Sequence, residues 1–224
     1  MIHTLTDDTN TTLEGKTALQ YLIREPKVAT VNHKAIILLH GVGSNENDLF
    51  NLAPHFPDNF IVISPRGPLT LSAGRYAWYE VDFSTGKPVI NAGQEAASRA
   101  IINTFIKQVK DKYNVEEVYL GGFSQGAIMS YNAGLTTPDE VNGIIALSGR
   151  LLNEVKPFIS KQKALQQLKV FIAHGTQDST LPVQYARDAK AYLQSLGVQL
   201  SYHEYNIGHQ INADVLNDLV SWLN

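Results

Sequence analysis

Five short runs in this chain are almost purely apolar: 35–39 (AIILL), 60–64 (FIVIS), 117–121 (EVYLG), 143–147 (GIIAL) and 170–173 (VFIA). A strand with one wet face alternates apolar and polar residues. Continuous runs of this length instead suit parallel strands covered on both faces. Residues 199–205 read as a last strand and 18–24 as an early edge strand. Between the runs lie helical patterns. Ile101, Phe105, Val109 and Tyr113, with Ile102 and Ile106 alongside, form one apolar stripe. Residues 125–133 and 184–196 also fit helices, the second stopped by Gly197, and 214–223 closes the chain with Val215, Leu216, Leu219, Val220 and Trp222 on its buried face. Alternating strands and helices imply right-handed crossovers and a doubly wound, mostly parallel sheet flanked by helices. Chemistry in such sheets sits in the loops at the carboxyl ends of the strands.

Composition narrows the classes. A chain of 224 residues without repeats, low-complexity tracts or linkers is expected to form one domain spanning residues 1–224. Its 44% hydrophobic and 17% charged content suits a compact fold rather than disorder. The net charge of -3 offers no basic surplus for nucleic acid. No apolar run approaches the roughly 20 residues of a membrane span, and the polar first dozen residues lack the form of a secretory signal. With no cysteine there is no disulfide, thiolate chemistry or Cys-ligated metal. The expectation is a cytoplasmic protein with neither metal nor cofactor, without nucleic-acid partners or stable membrane insertion.

The strand-end loops carry the chemistry. Gly122-Phe123-Ser124-Gln125-Gly126 has the form G-x-S-x-G, follows a strand and opens a helix. Alone, that pattern also arises as a small-residue turn; the strand–turn–helix placement is what a nucleophile elbow requires. Flanking glycines permit the sharp turn and the close helix–strand approach. His40-Gly41-Val42-Gly43 follows the 35–39 strand. Backbone N–H groups of Val42 and Gln125 are placed to form an oxyanion hole, while His40 reads as a structural hydrogen-bonding residue. Asp178 lies in the loop after the 170–173 strand, and His209 in the loop between the last strand and the final helix. That chain order, Ser124, Asp178, His209, suits nucleophile, orienting acid and general base.

These residues, with LLHGVGSNENDL (38–49), SPRGP (64–68), RYAWY (75–79), GGFSQGA (121–127), LSG (147–149), HGTQDSTLP (174–182) and GH (208–209), resemble the small phospholipase/carboxylesterase group of α/β-hydrolases. The resemblance runs from about Ala35 to the C-terminus, and NENDL with the terminal GH looks more like its bacterial carboxylesterase branch. It implies an α/β-hydrolase fold without a separate lid domain, a triad at Ser124, Asp178 and His209, and oxyanion donors at Val42 and Gln125. It also implies a small-molecule ester substrate, with a homodimer left open. By the same resemblance the segment 67–93, with Tyr76, Trp78, Tyr79 and Phe83, overhangs an acyl pocket, and Trp78 is the candidate substrate-binding residue.

The expected function is hydrolysis of carboxylic esters with short to medium acyl chains through an acyl-enzyme. Acyl-protein thioesterase and lysophospholipase activity are the alternatives. A binding protein on a hydrolase scaffold would usually have lost a triad member. A metallohydrolase lacks its HExxH or paired-His spacing here. A dehalogenase would want Asp at position 124, whereas a perhydrolase side activity is compatible with serine.

Overall fold

The computed structural model describes residues 17–28, 33–82, 84, 88–161 and 164–224. The reading of the first dozen residues and the candidate Phe83 therefore lie outside the described residues. In chain order the elements are β1 (Tyr21–Arg24), β2 (His33–Leu39), α1 (Glu46–Phe50), β3 (Phe60–Pro65), β4 (Leu69–Ser72), β5 (Arg75–Ala77), β6 (Val81–Asp82) and β7 (Val89–Ile90). They continue with α2 (Ala92–Tyr113), β8 (Val115–Phe123), α3 (Gln125–Thr136), β9 (Gly143–Leu147), α4 (Ala164–Gln167), β10 (Lys169–Gly175), α5 (Gln184–Ser195), β11 (Gln199–Tyr205) and α6 (Ala213–Leu223).

Seven strands form one twisted sheet in the order β1-β3-β2-β8-β9-β10-β11. All neighbours are parallel except β1, which runs antiparallel to β3 at the edge. The continuous apolar runs are explained by two cores. Ile37, Leu120, Ile144 and Ile172 point to one face and pack with α2, α3 and α5. Ile36, Ile145, Leu147 and Phe171 point to the other, beneath α1 and α6. Successive residues of one strand enter opposite cores, so no position in these strands can be polar without a buried partner. This is an α/β-hydrolase fold, with a mixed, mostly parallel sheet flanked by helices.

The departures from the sequence reading have local causes. α2 begins at Ala92, well before the apolar stripe, because Asn91 caps it by accepting the Gln94 N–H at 3.1 Å. Its first turns bury Glu95 and Ser98 instead of apolar residues, which hides the helical period. The strand at 117–121 extends in both directions to Val115 and Phe123. The segment 67–93 carries two small hairpins, β4–β5 and β6–β7. It is stitched to the loop after β2, since Gly43 N–H donates to the Tyr76 carbonyl and Tyr76 N–H to the Ser44 carbonyl, both at 2.8 Å. Among the described residues no helix is long and apolar enough to cross a membrane.

Candidate active site

β8, the central strand of the seven, and its neighbour β2 end side by side. The chain leaves β8 at Ser124, which adopts φ 55°, ψ -117° before α3 starts at Gln125. A non-glycine residue there is strained by roughly 1–3 kcal/mol, and the surroundings must hold it. They do: Ser124 N–H donates to the Leu147 carbonyl at 3.0 Å and its own carbonyl accepts Ile128 N–H at 3.1 Å. Gly126 permits the geometry, because a side chain there would overlap the Leu39 carbonyl at the end of β2.

The three candidate triad residues meet. His209 Nε2 lies 2.9 Å from Ser124 Oγ, and His209 Nδ1 lies 2.6 Å from Asp178 Oδ2. The carboxylate fixes the tautomer: Nδ1–H donates to Asp178, leaving Nε2 to accept a hydrogen bond from the Ser124 hydroxyl. Asp178 Oδ1 accepts the N–H groups of Thr180 at 2.9 Å and Leu181 at 2.8 Å. Its side chain is fully buried while the His209 side chain is 18% exposed, so the carboxylate is held dry and the imidazole keeps an open edge. The two loops are sewn together where Thr176 N–H reaches the Tyr205 carbonyl at 2.7 Å and Gln177 N–H the Ile207 carbonyl at 3.0 Å. The imidazole rests on Phe123, ring centroids 4.7 Å apart.

The loop after β2 abuts the same serine: a Cβ at Gly41 would sit 3.5 Å from Ser124 Cβ. Among the described residues, neither Val42 N–H nor Gln125 N–H donates to a protein acceptor. His40 holds this loop in place. Its Nε2 accepts Gly67 N–H at 2.9 Å, so the proton is on Nδ1, which donates to the Gly41 carbonyl at 2.7 Å. Burial depresses its pKa below the ordinary imidazole value, keeping the ring neutral. Close by, Glu46 is paired with Arg66, whose hydrogen bonds lower the carboxyl pKa.

Two residues stand differently from the sequence reading. Trp78, expected to line the acyl groove, has no exposed surface; its indole Nε1 donates to the His40 carbonyl at 2.9 Å. An amphipathic ring facing inward satisfies its N–H there, which a solvent-lined groove would not require. An open groove beside Val42, about 620 Å³, is lined by Leu71, Tyr79, Val81, Val89 and Ile90, with Glu80 and Asp82 on its wall. His174, passed over in the sequence except as part of HGTQD, is buried against the acid. Its Nε2 donates to the Leu181 carbonyl at 2.7 Å and lies 3.3 Å from Asp178 Oδ2. Its place at the end of the 170–173 run was the signal that could have found it.

A half-buried serine hydroxyl bonded to a histidine, itself bonded to a buried carboxylate, beside unpaired backbone donors, is an arrangement able to transfer acyl groups. Residues 22–224 match the phospholipase/carboxylesterase family, and the chain belongs to that family of esterases and thioesterases. Acyl-protein thioesterase 1 of Kluyveromyces lactis is 29% identical over 219 residues, covering 90% of this chain and 95% of that protein. In structure the chain is similar to a carboxylesterase from Mesorhizobium loti, with a TM-score of 0.82 at 19% identity over 96% of this chain and 98% of that one. It is also similar to the Bacillus cereus carboxylesterase, with a TM-score of 0.77 at 21% identity over 91% and 92%.

Proposed function

We propose that the protein is a serine esterase that cleaves carboxylic esters of short to medium acyl chains through an acyl-enzyme. The observation that carries this reading is the continuous chain Ser124 Oγ to His209 Nε2 and His209 Nδ1 to Asp178 Oδ2, at 2.9 and 2.6 Å. Ser124 Oγ attacks the ester carbonyl while His209 takes its proton. The tetrahedral oxyanion is held by the N–H groups of Val42 and Gln125 and by the N-terminus of α3. Collapse breaks the ester bond, and His209 returns the proton to the departing alcohol. Water, deprotonated by the same imidazole, then releases the acid and restores the serine. Asp178 stays ionised throughout and steadies the imidazolium.

The acyl chain lies in the groove beside Val42, whose exposed apolar side chains include Leu71 and Val89. The groove is open to solvent and its walls come from short hairpins, so selection is limited to what each partly covered methylene contributes, at most about 0.8 kcal/mol. Activity peaks at acyl chains of roughly four to eight carbons on this reading. The name of the Kluyveromyces lactis relative favours a second reading, hydrolysis of acyl thioesters, which the same acyl-enzyme accommodates.

A p-nitrophenyl ester series from acetyl to palmitoyl, set beside acyl-CoA and lysophosphatidylcholine, tests the substrate. Strong preference for palmitoyl over butyryl would overturn the short-chain reading. Ser124→Ala tests the nucleophile: it should remain folded, lose labelling by a fluorophosphonate and lose about 10⁴- to 10⁶-fold in turnover. Wild-type labelling in that variant would defeat the assignment.

A further inference from the structure

Every polar group of Trp78 is engaged inside the protein. The indole Nε1 donates to the His40 carbonyl at 2.9 Å, the backbone N–H to Gln125 Oε1 at 2.9 Å, and the carbonyl accepts the hydroxyl of Ser98. The Gln125 carboxamide completes the contact by donating from Nε2 to the Tyr79 carbonyl at 2.7 Å. This one side chain thus pairs with the Trp78–Tyr79 stretch as a neighbouring strand would, through one acceptor and one donor. The His40 carbonyl that receives the indole belongs to the peptide leading into Gly41 and Val42, and the His40 ring lies 5.4 Å from the indole. A third segment therefore cross-links the loop after β2 to the first turn of α3.

Those two places hold the N–H groups of Val42 and Gln125. We infer that the indole of Trp78 and the side chain of Gln125 are positioning residues for the oxyanion hole: they set the spacing and direction of its two backbone donors without touching the acyl chain. The inference rests on the reading of Ser124 as nucleophile and of these N–H groups as the oxyanion donors.

The physical case is one of tolerance. Donors must lie 2.7–3.1 Å from the position the oxyanion will occupy, a position the ground-state carbonyl oxygen does not share. A displacement well under 1 Å is enough to weaken the transition state while leaving the ground state bound. Trp78 has no exposed surface with which to contact a substrate. Gln125 is likewise buried, so the loss of either side chain reaches the reaction only through the backbone it holds. A residue that walls the groove behaves oppositely and changes KM.

The test compares wild-type protein with Trp78→Phe, which keeps an aromatic ring but removes the indole N–H, and with Gln125→Met, which removes both carboxamide bonds. Steady-state kinetics on p-nitrophenyl butyrate are measured together with the Ki of an alkyl trifluoromethyl ketone, whose adduct with serine places an oxyanion in the hole. Each variant should lose about 10- to 100-fold in kcat with KM within about twofold, and should bind the ketone weaker by a similar factor. The double variant should lose much less than the product of the two, because both act on one cross-link. Raised KM with kcat retained would overturn the inference and make the indole a substrate wall. Unchanged kcat and Ki with a lowered Tm would overturn it too, leaving the network a purely structural one. Should Trp78→Phe not fold, Gln125→Met carries the same expectation with the indole in place. Failure of wild-type protein to label with fluorophosphonate would strike the nucleophile reading itself; labelled wild type with unperturbed variants strikes only the positioning role.

Discussion

Oδ2 of Asp178 lies 2.6 Å from Nδ1 of His209, while Oδ1 of the same carboxylate accepts the N–H groups of Thr180 and Leu181. The carboxylate is thus anchored by its own loop and leaves one oxygen to orient the imidazole. Asp178→Asn keeps the shape but presents an amide in place of that acceptor, which turns the ring to the wrong tautomer. kcat should fall by about 10⁴, as an equivalent change does in another serine hydrolase, with the midpoint of thermal unfolding little changed. Turnover within tenfold of wild type would show that the carboxylate does not set the tautomer.

A methyl group at position 126 meets the Leu39 carbonyl, so α3 cannot keep its place against β2. Gly126→Ala should therefore destabilise the protein by about 3 kcal/mol or more, beyond the usual cost of overpacking. Urea unfolding gives the value directly. A midpoint equal to wild type would mean that the helix can back away from the sheet without loss.

The groove makes a separable prediction. Leu71 and Val89 are 45% and 52% exposed, and a medium acyl chain lying along them would cover much of that surface. Leu71→Ala with Val89→Ala should raise KM for an octanoyl ester several-fold, from about 1 kcal/mol of lost burial, with kcat little altered. The acetyl ester should be unaffected. Equal changes for both esters would place the acyl chain elsewhere.

Acid should loosen the site's scaffold before it reaches the exposed carboxylates. His40 has a pKa lowered chiefly by burial, so the unfolded chain takes up its proton more readily than the folded one. That contribution to stability is present above the unfolded imidazole value of about 6.5 and declines as pH falls below it. Glu46, whose pKa is lowered chiefly by the Arg66 hydrogen bonds, contributes above the ordinary carboxyl value and loses its contribution below it. Tm should therefore decline in two stages from pH 7.5 to 4, and His40→Gln should remove the first. A Tm constant from pH 7.5 to 5.5 in the wild type would contradict the His40 account.

Much of this protein was legible along the chain. Uninterrupted runs such as 35–39 and 143–147 announced strands covered on both faces, because so short and Ile-rich an apolar run suits a strand better than a helix. The order of Ser124, Asp178 and His209 on the loops after β8, β10 and β11 followed from those runs, since parallel strands must bring their carboxyl ends together. The start of α2 was hidden because Glu95 and Ser98 occupy its buried face, where their partners are supplied from distant segments: Asn132 donates to Glu95 at 3.0 Å, and Ser98 donates to Trp78.

Trp78 marks the boundary between the two kinds of knowledge. Its sequence position in RYAWY, above the strand ends, was compatible with an acyl-chain contact, since composition says only that an aromatic ring must be placed. Which way the ring turns depends on whether an acceptor waits inside, and the His40 carbonyl at 2.9 Å comes from a loop brought there by the packing of β2 against β8. The sequence by itself determined the sheet, the crossovers and the order of the chemistry, because apolar periodicity and chain direction are local properties. Only the tertiary structure decided which buried polar groups meet, because a hydrogen bond between residues far apart in the chain is a property of the packed molecule.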